Sequence, residues 1–229
     1  MTEHTSQASP PPVRPVHPVQ VSAVPEPGLS RWLWLVKWLL ALPHYVVLVL
    51  LWTACVVVGV VAFFAVLFTG RYPRPLFDFT TGVLRWSWRV GYYAYGALGT
   101  DRYPPFTLAD VPDYPARLDV AYPKHLSRGL VLVKWWLLAL PHYLVLGLLC
   151  GGPRPAWIPG GLLSLLVLFA GAALLFTGVY PRGIFDLVIG LNRWAVRVVA
   201  YAALLTDVYP PFRLDQGAAE PRTHAASPG

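Results

Sequence analysis

The sequence predicts a mainly α-helical integral membrane protein of two tandem repeats, each an interfacial helix followed by a two-helix transmembrane hairpin, with short β-strands on the cytoplasmic side. Three observations predict it. Leu40-Ala41-Leu42-Pro43-His44-Tyr45 returns letter for letter as Leu138-Ala139-Leu140-Pro141-His142-Tyr143. Apolar residues make up 56% of the chain against 13% charged, and the mean hydropathy is +0.52, outside the balance of a soluble domain. No formally charged side chain lies between Lys37 and Arg71. As one straight helix that run reaches about 50 Å, against a hydrocarbon core of about 30 Å.

Residues 1–16 and 216–229 are polar, proline-rich or small, with no apolar period, and are expected to be disordered tails. Repeat one then covers 17–109 and repeat two 110–215. No cationic segment runs into a short apolar core at the start, so no cleavable secretion signal is read there. His17-Pro18-Val19-Gln20-Val21-Ser22 alternates like a short strand and matches Tyr114-Pro115-Ala116-Arg117-Leu118-Asp119. Tyr103-Pro104-Pro105-Phe106-Thr107-Leu108 and Tyr209-Pro210-Pro211-Phe212-Arg213-Leu214 close the repeats, giving four candidate strands.

Three helices per repeat are expected. Helix A covers 30–50 and 127–150, starts at Ser30 or Ser127 as N-cap, and bends at Pro43 or Pro141. Its stripe of Ser30, Lys37 and His44 places it in the headgroup layer, with lysine and tryptophan as anchors. Helix B, 51–69 and 161–177, is the purest apolar span. Helix C, 76–99 and 184–205, is the return. The insertion Gly151 to Gly160 in repeat two is a polar loop that belongs near an interface. Cations such as Arg31, Lys37, Arg102, Arg117, Lys124, Arg128 and Lys134 fall on the strand side, against Arg71, Arg74 and Arg182 at the hairpin tips. The positive-inside rule then makes the strand side and both termini cytoplasmic, with four crossings, six being the alternative.

The formal charge of +7 is spread around apolar runs and forms no soluble basic face, which points to anionic lipid headgroups and away from nucleic acid. Cys55 and Cys150 lie in apolar surroundings with no CxxC or Cys/His cluster. No metal site, cofactor motif, nucleophile elbow or phosphate loop is present, so catalysis would need an unfamiliar route.

Helix C carries the residues of most interest. Asp78, Arg85 and Arg89 recur as Asp186, Arg193 and Arg197, on one helical face in each repeat. An arginine at mid-membrane costs about 2.5–3.5 kcal/mol on insertion scales, so these should face protein, a wet cavity or headgroups. Two uses are open: capping and phosphate anchoring, or a lipid-headgroup or anionic-ligand site. Asp78 with Arg193 or Arg197, and Asp186 with Arg85 or Arg89, is the expected cross-repeat pairing. His44 with Tyr45, and His142 with Tyr143, follow the prolines; they either relay protons or satisfy the carbonyls that proline frees.

These readings describe a non-catalytic membrane protein that associates with lipid headgroups, a membrane partner or a second copy of itself. A transporter or channel component with charged helices lining a path between repeats is the alternative. A lipid-modifying enzyme using His44 or His142 is a third.

The module of Leu35-Val36-Lys37-Trp38 through Tyr45, Phe68-Thr69-Gly70, Tyr72-Pro73-Arg74, Phe77-Asp78, the paired arginines and Thr100-Asp101-Arg102-Tyr103-Pro104-Pro105-Phe106 resembles the bacterial membrane family of domain of unknown function 4389. The resemblance covers 17–215 in two copies. It implies a multi-pass bacterial membrane protein of actinobacterial type and brings no activity or catalytic residues. Repeat one departs at Val24-Pro25-Glu26-Pro27, where repeat two has Ala121-Tyr122-Pro123-Lys124.

Overall fold

The computed structural model describes residues 17–151, 161–212, 214 and 215. Both expected tails and nearly all of the expected insertion loop lie outside the described residues. The described chain is mainly helical, with one small sheet. Its elements in order are β1 (Val19–Ala23), α1 (Lys37–Thr69), α2 (Arg74–Tyr93), β2 (Ala116–Val120), α3 (Arg128–Val133), α4 (Leu140–Cys150), α5 (Gly161–Thr177) and α6 (Arg182–Ala202). A 3₁₀ turn, Leu33–Leu35, precedes α1, and a π turn, Lys134–Leu138, joins α3 to α4.

Helices A and B of the first half, expected to part near residue 50, form the single helix α1 of 33 residues. Nothing in Leu50-Leu51-Trp52-Thr53 stops a helix, and one stripe continues through it: Lys37, Ala41, His44, Leu48, Cys55, Ala62 and Val66 are buried at spacings of three, four or seven. Pro43 is carried inside, and the Tyr103 hydroxyl donates to the Leu40 carbonyl in the turn before it (3.1 Å). Gly70 ends the helix at φ 69°, a conformation glycine adopts without Cβ strain, with its amide on Val66 O (2.8 Å). Ser127 caps α3 as expected, its hydroxyl accepting from Leu130 N. Ser30 accepts from Leu33 N in the same way but leads into the 3₁₀ turn.

Among the described residues, two of the four expected strands form. β1 and β2 pair antiparallel with Val21 opposite Leu118. The two Tyr-Pro-Pro-Phe segments stay outside any ladder, because adjacent prolines leave two positions without an N–H donor. One sheet face is buried through Val19, Val21, Ala23, Ala116, Leu118 and Val120, while Gln20, Arg117 and Asp119 are exposed on the other.

Helix α2 lies between this sheet and α1. Arg85, Trp88 and Tyr92 reach sheet-side carbonyls, Leu118 O (2.9 Å), Ser22 O (3.4 Å) and Val24 O (2.6 Å). On its opposite side Trp86 and Val90 pack on Leu48, Tyr93 packs on Ala41, and Ser87 accepts from Trp52 Nε1 (3.0 Å). α6 stands on β1 in the same way, through Arg193 to Val21 O (2.9 Å). The layers are therefore sheet, central helices, then outer helices. The outer ones expose apolar surface, including Val46, Leu50, Val57, Val61, Phe64 and Phe68 on α1 and Leu165, Phe169 and Phe176 on α5. Two segments, Lys37–Thr69 and Arg128–Leu149, are long and apolar enough to cross a membrane, and only 17% and 22% of their most apolar windows is buried.

Helix C, expected to be the lipid-crossing return, is thus a protein-covered inner layer in both halves. α2 lies against α1 and β2, and α6 against α5 and β1, so Arg85, Arg89, Arg193 and Arg197 lie among protein acceptors.

Candidate functional site

The polar residues of the interior form three kinds of cluster, each occurring once in either half. The first joins arginine to strand. Arg85 donates through Nε to Leu118 O and through a terminal nitrogen to Asp119 (3.0 Å). Its counterpart Arg193 donates to Val21 O, and Leu118 and Val21 are the facing pair at the centre of the ladder. Each half's central helix therefore grips the other half's strand. Arg89 donates to Ala109 O (2.9 Å) and Thr107 O, while Arg193 also reaches Asp215 O and Arg197 pairs with the Asp215 carboxylate (2.7 Å). A guanidinium's fixed fork suits it to bridging two carbonyls or a carbonyl and a carboxylate.

The expected cross-repeat pairing is not what forms. Asp78 lies 3.9 Å from Arg74, one turn away on its own helix, and both are largely exposed. The arginines it was to meet are engaged by strand carbonyls and Asp215 instead. Asp186 lines a cavity described below.

The second cluster was not foreseen. Lys37 is buried, and its ammonium donates to Thr100 O (2.7 Å), pairs with Asp101 (2.8 Å) and lies 5.0 Å over the Tyr93 ring. Lys134 repeats this on Thr206 O (2.9 Å), Asp207 (2.8 Å) and Tyr201 (5.2 Å). The second carboxylate oxygen of each aspartate accepts from Ser30 N or Ser127 N, both at 2.6 Å. These lysines, read as headgroup anchors, are internal locks that tie the start of each half to its end. The recurrence of Thr100-Asp101 as Thr206-Asp207 was the available signal.

The third cluster encloses each histidine. Phe106 stacks on His44 (3.9 Å, 14°), Tyr103 lies at 4.8 Å, and Trp86 donates Nε1–H to His44 Nδ1 (3.1 Å). Phe212 stacks on His142 (4.1 Å, 13°), with Tyr209 at 4.8 Å and Trp194 at 5.5 Å. The Tyr-Pro-Pro-Phe segments expected as strands are thus aromatic covers for the histidines. His44 accepts from a tryptophan and serves no proline-freed carbonyl. Tyr143 does donate to a carbonyl upstream of Pro141, that of Trp135 (2.8 Å), whereas Tyr45 packs among Ala41, Leu48 and Trp86. Among the described residues no cluster of three potential metal ligands occurs.

Burial pushes the hydroxyls of Tyr92, Tyr114 and Tyr180 upward. They act as neutral donors, to Val24 O, Arg102 O and Ala97 O respectively.

A cavity of about 490 Å³ opens where the linker after β1 passes the start of α6, with Pro25, Glu26, Tyr180, Arg182, Phe185 and Asp186 in its wall. Glu26 is committed to Thr100 Oγ1 and to Asp101 N (3.1 Å).

The model of the family described as Domain of unknown function (DUF4389) matches residues 31–107 and 156–213, together more than half of the chain. The chain belongs to that family. The first DUF4389 segment holds Lys37, His44, Arg85, Arg89, Asp101 and Phe106, and the second holds Arg193, Arg197, Asp207 and Phe212. The two strands, and with them the carbonyls that Arg85 and Arg193 grip, lie outside the matched DUF4389 segments. No curated protein and no solved structure matches the chain.

Proposed function

We propose that this protein is a non-catalytic membrane component that lies in one leaflet from the cytoplasmic side, its outer helices immersed and its sheet facing water. The observation that carries this is the apolar exposure of α1, which presents exposed leucine, valine and phenylalanine from Leu39 to Phe68. A core helix of a soluble protein would be mostly covered, and soluble monomers rarely expose contiguous apolar patches beyond a few hundred Å².

The lie of the helices follows from exchanged contacts. Arg85 reaches Leu118 while Arg193 reaches Val21; Gly70 meets Leu126 and Arg128 while Gly178 meets Arg31. A twofold rotation between the halves accounts for all of these, and the facing pair Val21 and Leu118 sets its axis perpendicular to the sheet. Such a rotation preserves height along its axis. Gly70 is therefore level with residues 126–128, and so with their counterparts 29–31 just ahead of α1. Both ends of a helix about 50 Å long being level, α1 runs across the axis and parallel to the sheet.

Turning the axis into the membrane plane would let α1 cross, but it would hold Gln20, Arg117 and Asp119 against hydrocarbon near mid-depth. Setting the axis along the membrane normal puts that polar face in water and the apolar face in lipid. This arrangement is favoured over the four crossings expected from the hairpin scheme. Exposed Arg31, Arg71, Arg128 and Arg182 then stand at the rim, where anionic headgroups are the natural counter-charge. Arg85 and Arg193 hold the strands, while Arg89 and Arg197 hold the segments that follow helix C; engaged in this way, these four arginines do not favour a charged path between the halves.

Spin labels at Leu39→Cys, Val57→Cys and Phe68→Cys, compared by oxygen and nickel-chelate accessibility in anionic vesicles, test the reading. Similar shallow depths at all three positions support it. A progression from one headgroup layer through mid-bilayer to the other overturns it.

A further inference from the structure

The cavity beside α6 has a filled counterpart in the other half. There Tyr122 lies edge-on to Phe77 (4.9 Å) and beneath the Arg74 guanidinium (4.4 Å), and its hydroxyl donates to Tyr72 O. Shifting to the matching motif replaces Arg74 by Arg182, Phe77 by Phe185 and Tyr72 by Tyr180. The tyrosine–phenylalanine geometry is the same in both, 5.7 Å and 83° for Tyr72 and Phe77, 5.5 Å and 89° for Tyr180 and Phe185. The plug differs. Where repeat two has Tyr122, repeat one has Pro25, which offers neither a six-membered aromatic ring nor a hydroxyl. The wall is kept and the occupant is missing.

We infer that the cavity bounded by Pro25, Tyr180, Arg182 and Phe185 binds a phenolic ring, for which Tyr122 in the other half is the built-in template. The ring sits edge-on to Phe185 with its face to the Arg182 guanidinium, and its hydroxyl donates to the Tyr180 carbonyl. The ring quadrupole attracts the cation, which an aliphatic alcohol cannot reproduce, and the hydroxyl meets a main-chain acceptor, which a plain aromatic hydrocarbon cannot. The volume of about 490 Å³ exceeds what one ring fills, leaving room for a substituent, and lies in the range of small-molecule sites. The phenol can arrive from water or from the bilayer. This inference does not rest on the proposed membrane position: the cavity is defined by the linker after β1, the start of α6 and the end of α5 around Leu174 and Val179, however the helices lie in the bilayer.

The test uses the full chain in lipid nanodiscs and p-cresol, the tyrosine side chain as a free molecule, with saturable binding followed by calorimetry and by the rise in melting temperature. Wild type should bind one equivalent, and toluene, which lacks the hydroxyl, at least about tenfold more weakly. Pro25→Tyr, which supplies the plug, should abolish binding and raise the melting temperature in the absence of ligand. Arg182→Gln, at the exposed start of α6, should weaken p-cresol binding while leaving the melting temperature without ligand unchanged. Tyr122→Ala should open a second site and be stabilised by p-cresol more than wild type is. A 4-dodecylphenol dissolved in the nanodisc that competes with p-cresol marks a bilayer route, and failure to compete marks an aqueous one; either supports a phenol site. No saturable p-cresol binding to wild type, equal binding of toluene, or binding unaffected by both Pro25→Tyr and Arg182→Gln overturns the inference.

Discussion

The two halves carry the same Leu-Ala-Leu-Pro-His-Tyr segment and build different helices from it. In the first half Pro43 rides inside a continuous α1, with the Leu40 carbonyl taken by the Tyr103 hydroxyl. In the second half the chain widens into the π turn Lys134–Leu138 before Pro141, and Tyr143 takes the Trp135 carbonyl. Around these unlike backbones the lysine–aspartate lock and the stacked histidine keep the same partners to within a few tenths of an ångström. The comparison teaches that the polar locks, and not helix continuity, fix each half. A local change in helix winding is tolerated as long as a tyrosine hydroxyl braces the turns before the proline and the lysine still reaches its aspartate.

The strongest way to break the comparison is to remove a lock. Lys37→Met and Lys134→Met should each destabilise by about 3 kcal/mol, the low end for breaking a buried pair because both aspartates keep some solvent contact. Denaturation followed by tryptophan fluorescence reads this, and a loss confined to one half would show that the locks are not equivalent. Next, Arg193→Met should cost about 2–3 kcal/mol and Arg85→Met about 1 kcal/mol, since Arg193 is fully buried and the Arg85 side chain is 22% exposed. Equal losses would mean that burial does not set the strength of the strand grip.

A finer contrast lies in the histidine clusters. Trp86→Phe leaves His44 Nδ1 buried without its donor and should cost about 1–2 kcal/mol, whereas Trp194→Phe removes no such bond among the described residues and should cost less. Smallest, Tyr103→Phe removes the hydroxyl's bond to Leu40 O, a carbonyl that the helix can still serve through His44 N, and should cost about 0.5 kcal/mol, measurable as faster amide exchange in the turns around Pro43.

Much of this was readable in the chain. The repeated motifs located the matching elements, Ser127 marked a helix start, and the alternation at 17–22 and 114–119 found both strands to within two residues. The Tyr-Pro-Pro-Phe segments were misread because alternation was weighed above the missing donors of paired prolines. The separation of helices A and B rested on bilayer thickness, a constraint that binds only a helix standing upright. Spacing reads Arg85 with Arg89, and Arg193 with Arg197, as one face of helix C, but periodicity does not show whether water, phosphate or a strand edge meets that face. The grip on the opposite half's strand has no local signature at all, since its two ends are 172 residues apart in the case of Arg193 and Val21.

That separation bears on how the protein is made. β1 is synthesised long before α6, the helix that holds it. Throughout most of translation the strand has an unfilled edge and no arginine beneath it, so the nascent chain must be kept from pairing elsewhere. The first half is not complete until the second is synthesised, and a chain released before α6 would leave β1 without the arginine that holds it.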